Sequence, residues 1–417
     1  MKHVVPFLCA MAYATWLSSP LSTSAGDWPQ WRGVNRDGKS TDTGLLAEWP
    51  AAGPALTWKV STLGKGYAGV SLVGNRLYTM GDTDDASHVL ALDAADGKVL
   101  WSTKVGKPGA PGWGGFAGPR CTPTVVDGLV FSVDQWGELV CVSAADGKEQ
   151  WRKNYEKDFG ASRPEWGWSE SPLVDGDRVV VTPGGPQGAM VALDKKTGAT
   201  LWQSKEMTDP AHYSSVMPAT MAGVNAYVQL TAAHVFGVAP KDGSLLWKAQ
   251  RKGATAVIPT PICTDREVYV TSGYGTGCNL FTVTPKDGKF AAEQAYANKN
   301  MVNHHGGAIK VGDQVYGYSD GKGWVCQDFK TGDILWSEKE KLKKGAVTFA
   351  DGQLICREED TGTVALVGAT SKGYVEKGRF KQPDRAKAKA WPHPTVANGK
   401  LYLRDQGLLL CYELKGK

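Results

Sequence analysis

A chain of 417 residues, 42% of them hydrophobic and 21% charged, is long enough to bury a sizeable core. Its net charge of +5, from 47 basic and 42 acidic residues, gives no basic stripe of the kind that binds nucleic acid. The 51 glycines and 22 prolines favour a turn-dense sheet protein, and no apolar run beyond the first 25 residues reaches membrane-spanning length.

In chain order, residues 1–25 read as an export leader. Lys2 and His3 precede an apolar run from Val4 to Leu17, and Ser18–Ala25 ends with Thr23 and Ala25 at the small-residue positions before a cut. Cys9 lies inside the apolar run without a small residue before it, so lipid attachment there is not expected. The mature protein is accordingly expected to be periplasmic or secreted. Residues 26–54 form an N-terminal arm, and 55–417 a single repeat domain.

Eight short apolar stretches, each following a turn signal, begin the repeat: 76–82, 129–135, 178–184, 226–232, 267–273, 314–320, 353–359 and 400–406. Their starts lie 39 to 53 residues apart. Strand repeats of this period cannot bury their own faces and must stack on neighbours, which predicts an all-β, eight-bladed β-propeller of four-stranded antiparallel blades.

A second repeat is phased against the first. ALDAADGKVLW (91–101) recurs at 141–151, 192–202, 237–247 and 326–336, each with glycine four residues before tryptophan. The glycine suits a tight hairpin because it takes φ > 0 freely, and the tryptophan is expected between adjacent blades. Two copies are worn, with Ala292 and Lys377 in the tryptophan's place. The last unit stops at LLLCYELK (408–415), one strand short, while ALTWKV (55–60) carries Trp58 with no upstream repeat. The N-terminal strand is therefore expected to complete the last blade and leave no free sheet edge.

Seven cysteines follow the leader, an odd number, so at least one is unpaired within the chain. Cys141, Cys326 and Cys411 occupy the repeat position of Ala91, Ala192 and Ala365 and are expected to be small buried core residues.

If strands A to D run outward from the axis, the D-to-A crossovers and B-to-C turns share one face. All six histidines after the leader fall there, as do Trp113, Trp136, Trp166, Trp168, Trp324 and Trp391. Aromatic plugging of the funnel is one reading of this asymmetry; a ring-bearing ligand is the other, since tryptophan supplies stacking area while histidine, arginine and carboxylates orient polar atoms. The expected ligand-binding residues are Arg120, Trp168, Glu170, His212, Tyr213, His305, Trp391, His393, Arg404 and Asp405. His304, Asp134, Tyr274, Asp320, Glu358 and Glu359 are further polar candidates on the same face, without an ordered catalytic triad.

No metal site is expected. His212, His305 and His393 belong to alternate blades, whose inner strands should lie roughly 18 Å apart, too far to share one ion. Adjacent His304 and His305 on a strand would point to opposite sides, so only one is expected in the funnel. GYGTG (273–277) joins two strands without a helix N-terminus and reads as a flexible turn rather than a phosphate loop.

The ALDxxxGxxxW repeats resemble those of the PQQ-like (quinoprotein dehydrogenase-like) β-propeller superfamily over 55–417. The opening DWPQWRGVNRDGKS, with GYSD, GRFKQPDR and LYLRDQ, is similar to exported PQQ-like repeat proteins of planctomycete-type bacteria, often labelled after the outer-membrane assembly factor BamB. The superfamily's dehydrogenases hold PQQ against a vicinal disulfide and a calcium ion bound by Glu, Asn and Asp. This chain has no adjacent cysteines and no residue that matches those ligands, so the resemblance implies the scaffold more than PQQ and calcium. Two functions follow as expectations. One is binding of a small molecule or glycan in the funnel, with an oxidoreductase among its possibilities; the other is a BamB-like protein-interaction scaffold with an envelope partner. A monomer is expected.

Overall fold

Each repeat unit is one four-stranded antiparallel sheet, and eight such sheets make the structure, a computed structural model that describes residues 26–286 and 289–416. The leader reading and Cys9 lie outside the described residues. Blade 1 consists of Ser71–Val73, Arg76–Asp82, Ser87–Asp93 and Val99–Gly106. Blades 2 to 7 follow at 124–154, 173–203, 217–250, 262–298, 308–338 and 345–381. Among the described residues the one α-helix is the single turn Tyr155–Phe159.

Burial tracks strand position. The second strand of blade 1, RLYTMGD, is buried at all but its first residue, because a blade in the ring is covered on both faces. The outermost strand, VLWSTKVG, alternates half-buried and exposed residues over most of its length. The cores accordingly lie between blades: one cluster joins Tyr78 and Met80 of blade 1, Phe131 and Cys141 of blade 2, and Val179 of blade 3.

The Gly and Trp of the second repeat interlock from blade to blade. The indole N–H groups of Trp101, Trp151, Trp202 and Trp336 donate to carbonyls of Ala144, Lys195, Pro240 and Thr370 in the next blade, at 3.2, 2.9, 3.0 and 2.7 Å. The ring then covers the hairpin glycine of that blade: a Cβ on Gly147 would lie 2.6 Å from Trp101, and one on Gly198 2.7 Å from Trp151. Glycine is thus required both for its left-handed φ and for the room it leaves.

The worn copies are compensated. In blade 5, Tyr296 replaces the missing tryptophan, donating its hydroxyl to the Phe329 carbonyl at 2.9 Å and covering Gly332. In blade 7, whose Lys377 stands at the repeat's tryptophan position, the arm delivers Trp49, whose backbone N–H donates to the Lys377 carbonyl at 2.9 Å and whose ring packs on Phe380.

Blade 8 pairs Thr395–Ala397, Lys400–Asp405 and Leu408–Glu413 with the N-terminal strand Leu56–Val60. Leu56 faces Tyr412 and Val60 faces Leu409. Trp58 continues the interlock into blade 1, donating to the Ala94 carbonyl at 3.1 Å. All seven described cysteines are free, and Cys141, Cys326 and Cys411 are fully buried.

The arm occupies the axis as a hairpin-like plug. It enters beside the A-to-B turn of blade 8, where the Gly26 carbonyl accepts from Asn398 N–H, and returns there, where the Asp42 carboxylate accepts from Gly399 N–H. Between those points Trp28 pairs with Leu72 of blade 1, Pro29 accepts from Val125 of blade 2, and Gly38 and Ser40 bond Phe349 of blade 7. Arg32 donates to the Ala308 carbonyl of blade 6 at 2.6 Å, and Arg36 to the Ser171 and Pro172 carbonyls at the opening of blade 3. The hairpin's turn, with φ of 61° at Arg32 and 55° at Arg36, faces the D-to-A side.

Candidate functional site

The D-to-A crossovers bend inward over this plug and enclose a cavity of about 280 Å³. Trp31 of the plug forms part of its wall, with Tyr67, Trp113, Phe116 and Arg120 from the crossovers into blades 1 and 2, and Trp166, Tyr213 and Ile258 from those into blades 3 to 5. His304 and His305 come from the crossover into blade 6, Trp391 and His393 from that into blade 8, and Tyr274 from the B-to-C turn of blade 5. The cavity therefore opens on the face where histidine and tryptophan concentrate.

Its walls are two aromatic rows. Tyr67 and Trp391 lie 4.5 Å apart between ring centres; His305 stacks on Trp391 at 4.0 Å and 17°, His304 follows at 3.7 Å, and Tyr274 at 4.6 Å. Across the mouth, Trp113, Trp166, Tyr213 and His212 form the second row, at 5.3, 6.0 and 5.5 Å. Trp31 closes on His393 at 4.7 Å.

The histidines here are neutral bases. Burial, with Lys344 nearby, lowers the His304 pKa to about 4; burial and the Arg32 charge lower His393 to about 3; His305 is held well below its usual value by burial and by His304. Hydrogen bonds fix two tautomers. The Lys344 ammonium can only donate, and it meets His304 Nδ1 at 2.9 Å, so Nε2 carries the proton and donates to the Tyr274 hydroxyl at 2.8 Å. His393 Nε2 donates to the His305 carbonyl at 2.9 Å, leaving Nδ1 as a buried lone pair without a hydrogen-bond partner among the described residues.

Two sequence expectations are corrected here. Inner-strand spacing does not set the separation of His305 and His393, because the crossovers converge over the axis and bring the His393 ring to the His305 backbone carbonyl. His304 and His305 both line the cavity, because residues 301–307 are irregular rather than strand and side chains need not alternate.

The ten expected binding residues divide by depth. Arg120, Tyr213, His305, Trp391 and His393 line the cavity, and His212 joins its second aromatic row, its Nδ1 accepting from Val257 N–H. The other four are buried away from it. Trp168 packs edge-on against Tyr155 at 5.3 Å and donates to the Pro183 carbonyl. Glu170 accepts from the Tyr155 hydroxyl and the Thr182 N–H, and burial raises its pKa to about 7. Arg404 ties blade 8 to blade 1 through the carbonyls of Leu63, Gly64 and Met80. Asp405 pairs with Arg385 at 3.1 Å and accepts from Gln382. Sequence reasoning missed Trp31, Tyr67 and Phe116; the WPQW pair of indoles in an otherwise polar arm was the available signal for the first.

Quinone with calcium does not fit this set of residues. Calcium takes six to eight oxygen ligands, chiefly carboxylates and carbonyls, and no Asp or Glu lines the cavity. Among the described residues no cluster of three His, Cys, Asp or Glu side chains could hold a metal ion.

An eight-bladed ring closed by its N-terminal strand, with interlocked Gly and Trp repeats, defines a PQQ-like propeller. The chain belongs to the family described as outer membrane protein assembly factor BamB, which matches residues 42–112 and 85–338. The BamB of Salmonella typhimurium is 24% identical over 365 residues, covering 73% of this chain and 86% of the relative. Quinohemoprotein alcohol dehydrogenase ADH IIB of Pseudomonas putida is 35% identical over 101 residues, but this covers 24% of this chain and 14% of that enzyme. Among solved structures, BamB from Moraxella catarrhalis aligns with a TM-score of 0.61 at 16% identity, over 88% of this chain and 99% of that one. Quinohemoprotein alcohol dehydrogenase from Comamonas testosteroni aligns at 0.62 and 12%, over 94% and 81%.

Proposed function

We propose that the protein is a BamB-like interaction scaffold of the cell envelope, working in the periplasm or beyond it, with the funnel mouth as its docking face. Family membership carries this reading, and the surface supports it. Trp113 is 68% exposed on the mouth beside Trp166, and an exposed indole is the kind of residue that anchors protein interfaces. A photo-crosslinking residue at Trp113 should give one discrete adduct in the native envelope, whereas the same residue at Leu201, on an outer strand, should not. Equal or absent adducts at both positions would remove the mouth as the docking face.

A second reading is favoured by the aromatic cavity: a small molecule or glycan bound at the same mouth. Ring faces and neutral imidazoles suit a ligand with flat apolar surfaces. No redox step is assigned to it, because the residues present do not fit the quinone and its calcium.

A further inference from the structure

The cavity wall carries one guanidinium, Arg120, that lies over the Tyr67 ring at 5.8 Å but has no carboxylate partner among the described residues. Two of its five N–H donors are taken by the carbonyls of Phe116 and Gly118, at 2.7 and 3.3 Å. Asp82 contributes to its field, but that carboxylate is already engaged by Gly109 N–H at 2.7 Å and by Gln135 at 3.0 Å. Of the other nearby cations, Lys344 is paired with Asp320 at 2.8 Å, and Arg32, behind His393, is held by the Asp37 and Ala308 carbonyls outside the cavity lining. A guanidinium facing an aromatic space without an acid is costly unless an anion joins it, and its planar fork matches a carboxylate in two parallel hydrogen bonds.

A second donor faces the same space. Since Tyr274 accepts from His304 Nε2–H, its own hydroxyl proton remains free for an incoming acceptor.

We propose that the cavity selects a flat organic anion, with Arg120 pairing its acidic group, Tyr274 donating to a second oxygen, and Trp31, Trp166 and Tyr213 enclosing its ring. This rests on the mouth being a ligand site and does not require a protein partner there. No metal takes part.

The test uses the full mature chain and two isosteric probes, 2-naphthoate and 2-naphthamide, titrated by calorimetry. A charge-assisted pair predicts that naphthoate binds about 10- to 100-fold more tightly than the neutral amide. Arg120→Gln should erase that preference while leaving amide binding in place, and Arg120→Lys, which keeps the charge without the fork, should retain part of it. Tyr274→Phe, on a half-exposed side chain, should weaken naphthoate several-fold with the fold intact. Equal binding of both probes to the wild type, or a preference that survives Arg120→Gln in folded protein, overturns the anion inference and leaves the ligand site standing. Failure of both probes to bind overturns the ligand site as well.

Discussion

The indole N–H of Trp31 donates to the hydroxyl of Thr260 at 3.0 Å, across 229 residues of sequence. This bond joins the tip of the axial plug to the inner opening of blade 5. Trp31→Phe and Thr260→Val should each cost about 1 kcal/mol, and a double-mutant cycle should return a coupling of about 0.5–1.5 kcal/mol. Additive losses in chemical denaturation would show that the arm is not seated against blade 5.

The interlock can be isolated with two glycines of nearly equal φ. Gly147 at +73° lies under Trp101, whereas a Cβ on Gly128 at +75° would meet nothing within 4 Å. Gly128→Ala should cost about 1 kcal/mol for the left-handed backbone alone, and Gly147→Ala about 1–3 kcal/mol more for displacing the ring. Equal midpoints of unfolding would deny the glycine its packing role.

Deleting the strand Leu56–Val60 should open the ring, expose the outer edge of Leu408–Glu413 and cost solubility. A truncated protein that stays monomeric on size-exclusion chromatography with an unchanged melting curve would refute closure by this strand.

Acid should weaken the fold through His393. Its folded-state pKa of about 3 lies below the ordinary value of 6.5, so between those limits the unfolded chain binds the extra proton. The stability this group contributes is complete above pH 6.5 and is lost as pH falls, by up to about 1.4 kcal/mol per pH unit. Glu170 acts in the opposite sense: with a folded pKa near 7 it takes up a proton on folding between about 7 and 4.5, so acid favours the fold there. His393→Gln should therefore flatten the loss of stability between pH 6.5 and 4.5, and Glu170→Gln should steepen it. Unchanged slopes in both variants would mean that neither group carries the shift.

The ring was legible because its two repeats leave residues at fixed spacing: the hairpin glycine and the tryptophan that covers the next one. The worn positions, Ala292 and Lys377, hid their substitutes, since Tyr296 lies four residues beyond the expected place and Trp49 comes from another part of the chain. Alternation along the strands assigned faces but not depth. Trp168, Glu170, Arg404 and Asp405 are on the expected side yet turn into the seams between blades, where buried polar groups find carbonyls, amides and hydroxyls. Trp168→Ala should accordingly lower stability by about 3–5 kcal/mol, as expected for deleting a buried aromatic ring. The path of the arm left no periodic trace, and neither did the convergence of the crossovers, which depends on loop conformation rather than on strand spacing.

Because Leu56 must find Tyr412, the ring cannot lock until the strand Leu408–Glu413 is in place. A product cut short before Leu408 leaves its N-terminal strand without a seat and Lys400–Asp405 without its outer neighbour, so it exposes the edge of a buried strand that the closed blade covers. The architecture thereby distinguishes an open ring from a closed one by an exposed sheet edge prone to aggregation, with no recognition sequence needed to mark it.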